Sequence, residues 1–330
     1  MSVIDEIVEM AKKNKKTIVL PESDDMRVIE AASKITLSEI ADIILIGNEE
    51  IIKSRCKEKD IDISKTKIVD NLNYDKIDIY ANELYNLRSK KGVTIDMAYE
   101  MLKDNVYFAT MMVKMNDADG MVSGAAHSTA DTLRPALQII KANENVKTVS
   151  SFFLMETENK SLGYDGKFIF ADCGLVAYPT QDELVDIVLS SRQSFKDIFK
   201  KEPKIAMLSY STKGSAKHEN IDKVRDVVDI VKSKDSNIQI DGELQLDAAI
   251  IEEVAKMKAP ESKVAGKSNI LIFPDLDAGN IGYKIAQRFG NMIALGPVTQ
   301  GLKRPVNDLS RGCNVDDIIG VVAITCLQAK

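Results

Sequence analysis

Short apolar runs alternate with stretches of helical periodicity along this chain. Strand-like runs stand at 17–21 (TIVLP), 42–47 (DIILIG), 120–124 (GMVSG) and 168–172 (FIFAD). Further ones stand at 204–209 (KIAMLS), 237–241 (NIQID), 269–274 (NILIFP) and 292–296 (MIALG). Between them apolar residues recur at helical spacing, most plainly where Val224, Val227, Val228 and Val231 fall at i, i+3, i+4 and i+7. This alternation predicts an α/β fold with mostly parallel sheets. The opening residues predict an amphipathic helix with Ile4, Ile7, Val8 and Ala11 on one face. Acids stand there where a signal peptide would be basic, so the helix is expected to belong to the fold. The last helical stretch, from Asp316 onward, is strongly apolar and is expected to pack inside. Asp165-Gly166 reads as a turn, which predicts an antiparallel element where a second domain begins, near 145–150. Two α/β lobes with a cleft between them follow, the carboxyl ends of strands supplying the cleft residues.

Composition narrows the function classes. The chain has 330 residues, 45% hydrophobic and 28% charged, which is ordinary for a soluble globular protein and ample for a core. Its formal charge of −6 argues against nucleic acid as a partner, although local arginines can still bind an anion. Cys56, Cys173, Cys313 and Cys326 are far apart and form no CxxC pair, which suits reduced thiols in the cytoplasm better than zinc or a disulfide framework. No apolar run approaches the roughly 20 residues that span a bilayer, so no membrane association is expected.

Three loops carry candidate chemistry. The stretch 122–141 runs from an apolar strand through Ser123, Gly124, Ala125, Ala126, His127, Ser128 and Thr129 into a helix bearing Arg134. Small residues let backbone N–H groups approach an anion, and Ser128 or Thr129 can cap the helix or donate to an oxygen. An ordinary capped helix with a surface arginine explains the same residues. No lysine follows the glycine as in a nucleotide P-loop. His127 suits a general base or a hydrogen-bonded structural role, and His218 reads as a surface loop residue. The second loop, 296–318, is expected to stay irregular until a helix starts near Asn314, leaving Ser310 and Arg311 just upstream and Asp316 and Asp317 in its first turn. Acids there also complement the helix dipole. In the third, 273–290, Asp275 and Asp277 suit either a divalent metal or tight turns, and 241–250 has the same strand-to-acidic-loop form.

Taken together, "ADGMVSGAAHSTADTLRPALQI", "IDGELQLDAA", "NILIFPDLDAGNIGYKIAQRF" and "DLSRGCNVDDIIGVVAITCLQA" resemble the phosphate acetyltransferase (phosphotransacetylase) family. "IVLPESDDMRVIEAA" fits as well, with Ser23 where the family pattern has glycine. The resemblance runs from about residue 15 to the C-terminus. It implies two α/β domains flanking a cleft, of isocitrate/isopropylmalate dehydrogenase type, and a homodimer. The domains are expected at 1–145 plus 300–330, to which the last helix returns, and at 146–299, which would dimerise. Acetyl phosphate plus coenzyme A would interconvert with acetyl-CoA plus phosphate, with no tightly bound cofactor and no metal. Ser310 and Arg311 correspond to the family's catalytic pair and Asp317 to its proposed base. Arg134, Arg88, Arg27, Ser128, Thr129, His127 and Asn280 are implied in substrate binding. The acids at 275–277 then revert to shaping the loop.

Direct attack of the coenzyme A thiolate on the acetyl carbonyl is the expected path, with arginines meeting the phosphoryl charge. Proton transfer from a free thiol to a free aspartate is uphill by about 4.6 pKa units, roughly 6 kcal/mol, so desolvation or concert with attack is needed. A phosphate butyryltransferase would share this chemistry with a wider acyl pocket. A metal- and NAD(P)-dependent decarboxylating dehydrogenase of the same fold would need a Tyr-Lys pair converging on one site. Tyr283 and Lys284 are adjacent on a helix and do not face one site. A non-catalytic acetyl-CoA-sensing module is disfavoured because Ser310, Arg311 and Asp317 are all present.

Overall fold

The structure, a computed structural model, describes residues 2–144 and 146–329. The chain runs α1 (Val3–Lys13), β1 (Thr17–Leu20), α2 (Met26–Leu37), β2 (Asp42–Ile46), α3 (Glu49–Glu58) and β3 (Lys67–Val69). It continues with α4 (Ile77–Arg88), α5 (Ile95–Leu102), α6 (Asn105–Lys114), β4 (Gly120–Ser123), α7 (Thr129–Ile139), β5 (Ser150–Glu156) and β6 (Lys167–Ala171). Then come α8 (Gln181–Phe199), β7 (Ile205–Leu208), α9 (Glu219–Lys234), β8 (Ile240–Leu244), α10 (Leu246–Ile250) and α11 (Glu252–Lys258). The last are β9 (Ile270–Ile272), α12 (Leu276–Arg288), β10 (Ile293–Gln300), β11 (Val306–Asp308) and α13 (Val315–Gln328). None of the described helices is long and apolar enough to cross a membrane.

Two compact units result, Val3–Ala142 with Leu302 onward, and Asn143–Gly301. The domain boundary expected at 145/146 falls on Asn145, which lies outside the described residues, as do Met1 and Lys330.

In the first unit five parallel strands stand in the order β11-β4-β1-β2-β3. Chain order proceeds from β1 to β2 and β3 on one side, then crosses to β4 and β11 on the other. The carboxyl ends of β1 and β4 therefore flank the topological switch point, where such sheets bind ligands. On one face Val19, Ile44, Met121 and Val306 join Tyr80, Phe108, Met111 and Ile139 in a buried core. On the other, α13 packs against α1, α2 and β4, its residues Ile318 and Val321–Cys326 buried. The buried stripe of α1 is Val3, Ile7 and Ala11, whereas Ile4 and Val8 are only half-buried.

The second unit holds six strands in the order β10-β5-β6-β9-β7-β8. β10, β5 and β6 are antiparallel, and β6, β9, β7 and β8 are parallel. Asp165 and Gly166, at φ 52° and 80°, make the turn that feeds β6.

Two elements differ from the sequence expectation. β8 begins three residues later than the run 237–241 and continues to Leu244, so Asp241 and Glu243 are buried strand residues and no acidic loop forms there. Lys213 Nζ lies 2.5 Å from Asp241 and Ser211 Oγ 2.8 Å from Glu243, which offsets burying these acids. The stretch before Asn314 is not wholly irregular, because Val306–Asp308 pair with β4. Asn307 is accommodated inside by donating to Thr325 Oγ1 and Gln328 Oε1, both at 2.8 Å.

Candidate active site

Three loops at the carboxyl edge of the first sheet converge: residues 21–25 after β1, 124–128 after β4 and 309–314 after β11. Parallel pairing brings the last two side by side, with Asp308 opposite Ser123 and Leu309 N donating to Ser123 O at 2.7 Å.

The loop 124–127 was expected to offer its backbone N–H groups to a bound anion. Instead they serve an internal one. Gly124 N and Ala125 N donate to Glu22 Oε2, and Ala126 N and His127 N to Oε1, each at 2.9 Å. His127 Nδ1 lies 2.7 Å from Oε1. Glu22 is thereby buried with full compensation, as a buried carboxylate requires. The small residues are explained by this packing. Gly124 has φ +110°, and a Cβ there would stand 2.3 Å from Asp308 Oδ1 and 2.6 Å from Leu309 N.

Arg27, expected in substrate binding, has its donors engaged within the protein. Its Nε and Nη2 fork onto Asp25, Nη2 also reaches Ala125 O at 2.9 Å, and Nη1 reaches Arg311 O at 3.0 Å and Cys313 O at 2.7 Å. All five N–H groups are thus used. The guanidinium pins the β4–α7 loop to the β11–α13 loop and holds the Asp25 carboxyl below the usual carboxylate range. Ser23, in the family's glycine position, is buried and donates to Ile46 O at 2.6 Å. It is not among the residues with positive φ, so no glycine is required there.

Ser128 caps α7, accepting from Asp131 N at 3.2 Å and donating to Asp131 Oδ2 at 2.6 Å. Thr129 Oγ1 donates to Asp308 Oδ2 at 2.6 Å. Neither hydroxyl is spare in this arrangement. Arg134 is exposed, its nearest acid being Asp131 at 3.8 Å. Arg88 ends α4, and its Nε is buried without a hydrogen-bond partner among the described residues. Burial raises the Tyr107 hydroxyl, and the charges of Arg134 and Arg88 both act to lower it, so the two arginines share one neighbourhood.

Ser310 and Arg311 are exposed on the pinned loop. Ser310 Oγ accepts from Gly312 N at 3.3 Å, and the Arg311 guanidinium has no partner among the described residues. Asn314 and Asp317 form a reciprocal capping box, each side chain accepting from the other's backbone N–H at 2.9 Å. Asp317 is half-buried there and Asp316 is exposed. Burial pushes the Cys313 thiol up, against Arg27, with Asp317, Asp25 and Glu22 adding to the rise. A raised thiol is a poor nucleophile.

Asn280 belongs to the second unit, on α12, where Nδ2 donates to Cys173 O at 3.0 Å and Oδ1 accepts from Lys284 at 2.7 Å. Asp275 caps α12 through Ala278 N, and Asp277 accepts from Tyr178. His218 is an exposed loop residue, as expected, and its Nδ1 also caps α9 by accepting from Asn220 N at 3.2 Å.

The other nine site residues named from sequence lie in the first unit. Two residues were missed, Glu22 and Asp308. Asp308 is 3% exposed with Oδ1 unpartnered among the described residues, and its carboxyl is raised to about 6, chiefly by burial. Both lie in stretches that carry the resemblance, but nothing in the sequence marked their roles, because their partners are backbone amides and a hydroxyl more than 100 residues away.

A family profile described as Phosphate acetyl/butaryl transferase matches residues 2–326. The chain is similar to the phosphate acetyltransferase of Acetivibrio thermocellus, 55% identical over 330 residues that cover 100% of this chain and 99% of that one. Among solved structures it is similar to a phosphotransacetylase from Streptococcus pyogenes, with 42% identity, a TM-score of 0.93, and coverage of 100% and 99%. A 4-hydroxythreonine-4-phosphate dehydrogenase from Klebsiella pneumoniae shares the fold alone, at 12% identity and TM-score 0.52 over 96% of this chain and 100% of that one. The dehydrogenase-like fold and the family expected from the motifs are both borne out. The chain belongs to the phosphate acetyltransferase family.

Proposed function

We propose that the chain catalyses reversible transfer of acetyl between acetyl phosphate and coenzyme A, by direct attack of the thiolate in a ternary complex. One observation carries the reading: the 55% identity to a phosphate acetyltransferase extends over the whole chain. The site supports it with charge in the right form. Arg311 and Arg134 present exposed guanidiniums beside the switch point, and a planar fork matches phosphoryl oxygens while staying charged. Arg88 adds a third cation near Arg134.

In this reading Arg134 and Arg88 hold the phosphoryl group of acetyl phosphate. Arg311 meets charge as it develops on the carbonyl oxygen and the departing phosphate. Ser310 hydrogen-bonds the thiol or the tetrahedral oxygen, and Asp317 takes the thiol proton. The capping box fixes where Asp317 stands, and the Arg27 clamp fixes where Ser310 and Arg311 stand. Arg27, Ser128 and Thr129 serve as positioning residues, since their polar groups are already engaged. Coenzyme A acts as a substrate, with no resident cofactor or metal. A cytoplasmic homodimer, with the second unit dimerising, belongs to the same proposal.

The test follows thioester absorbance with coenzyme A and acetyl, propionyl or butyryl phosphate, in the presence of EDTA. Acetyl phosphate should give the highest kcat/KM, undiminished by EDTA. A preference for butyryl phosphate would move the chain to butyryl transfer, and no thioester from any donor would overturn the reading.

A further inference from the structure

We propose that His127 is a catalytic residue of this transfer, the acid that protonates phosphate as it leaves, and that Glu22 is the carboxylate that orients it. The proposal rests on the acetyl-transfer reading above.

The reaction needs such a group. Attack of the thiolate forms the S–C bond, and collapse of the tetrahedral intermediate breaks the bond from carbon to the bridging oxygen. Expelled from acetyl phosphate dianion without a proton, phosphate would depart as the trianion, its most basic form. A proton delivered to the bridging oxygen lets it leave as hydrogenphosphate. The thiol proton goes to Asp317 and the Nε2 proton of His127 goes to phosphate, so atoms balance and nothing is oxidised or reduced. In the reverse direction neutral His127 takes the proton from hydrogenphosphate as its oxygen attacks the thioester.

The geometry meets the requirements for an oriented acid. A carboxylate can only accept, so the 2.7 Å contact places a proton on Nδ1 and turns Nε2 away from Glu22. The Glu22 side chain is 1% exposed and that of His127 is 37% exposed, so a buried anchor holds a ring with access to solvent. Four backbone N–H groups donate hydrogen bonds to the same carboxylate and fix the loop, and with it the direction of the ring. A histidine held by a buried carboxylate on one nitrogen and open on the other is the arrangement used for proton transfer in hydrolytic triads. The Ser310–Arg311 loop is adjacent, because Arg27 bonds Ala125 O with one arm and Arg311 O and Cys313 O with the other.

Among the described residues, besides Glu22, Asp131 on α7 carries charge near the ring and lies 3.8 Å from Arg134, while Arg27 and Asp308 act on Glu22 from α2 and β11. Glu22 supplies the counter-charge when the ring is protonated, and Arg134, on the helix that follows His127, holds the phosphoryl group in the proposed reading.

The test uses the full chain with His127→Gln and His127→Ala, assayed in both directions across pH. kcat should fall by roughly 10²–10⁴-fold, the usual share of general acid–base catalysis. The KM for acetyl phosphate and the melting temperature should stay near wild type. The pH profile of kcat should differ between wild type and His127→Gln. Added imidazole should restore part of the rate to His127→Ala, which a merely structural histidine would not permit. Variants that keep wild-type kcat would overturn the proposal, as would a loss with an unchanged pH profile and no rescue. Wild-type chain that makes no thioester would instead overturn the acetyl-transfer reading, and the proposal with it.

Discussion

Thr129 donates its hydroxyl to Asp308 Oδ2 at 2.6 Å, and this bond ties the first turn of α7 to the end of β11. One stretch carries Arg134 and the other leads into Ser310 and Arg311. Glu22 stands near enough to Asp308 to raise its carboxyl further, although burial is the larger cause. The floor of the site is therefore two buried carboxylates, each held by groups of the β4–α7 segment.

The Asp308 carboxyl, raised to about 6, makes stability depend on pH in a stated direction. The folded chain holds this proton more tightly than the unfolded chain, where aspartate titrates near ~3.9. Its contribution is full below the unfolded value and is lost as pH rises through the folded one, an effect of roughly 3 kcal/mol. Asp308→Asn can still accept from Thr129 and removes the titration. Relative to that variant, wild type should lose denaturant-unfolding stability as pH is raised from about 4 to about 7. A difference that stays flat with pH would show that Asp308 does not titrate this way.

Arg134→Gln and Arg311→Gln should impair turnover by different routes. In the proposed reading Arg134 holds ground-state phosphate, so its loss should mainly raise the KM for acetyl phosphate. Arg311 in that reading meets developing charge, so its loss should mainly lower kcat. Each effect should be roughly ten- to hundredfold, the scale of one hydrogen bond to a charged group at about 1.5–3 kcal/mol. Wild-type kinetics in both variants would remove the arginines from the site.

Asp317→Asn separates proton transfer from helix capping. Its side-chain oxygen can still accept from Asn314 N, so most of the capping box survives. The lost charge costs typically ~0.3–1 kcal/mol at a helix N-terminus. If Asp317 takes the thiol proton, kcat should fall by roughly 10²–10⁴-fold, less at higher pH where the thiol ionises unaided. Asp316→Asn is the control, being exposed and turned about 100° around the same helix. A drop in melting temperature with unchanged kcat for Asp317→Asn would leave it a capping residue only.

Much of the fold was legible because period and burial agree. Val224, Val227, Val228 and Val231 are all buried on α9, as their spacing predicts. β11 escaped notice because it is three residues long and two of them, Asn307 and Asp308, are polar. Its place was decided by tertiary partners, since Asn307 is held inside by donating to Thr325 and Gln328 on α13. The site was legible as motifs and illegible as geometry. Gly124, Ala125 and Ala126 looked like a cradle for a ligand, and their amides turn inward because Glu22, 102–104 residues earlier, supplies the anion. Arg27 likewise looked like a substrate contact, and only the folded chain brings three carbonyls within its reach.

Direct transfer within one ternary complex is tested most directly by initial rates of acetyl-CoA formation with acetyl phosphate and coenzyme A varied together. The buried, raised Cys313 thiol and a Ser310 hydroxyl whose bonded partner is a backbone amide supply no activated nucleophile for an acetyl-enzyme. Double-reciprocal plots should therefore give lines that intersect, and chain quenched during turnover with labelled acetyl phosphate should carry no covalent acetyl group. Parallel lines, with label recovered on Cys313 or Ser310, would contradict the account.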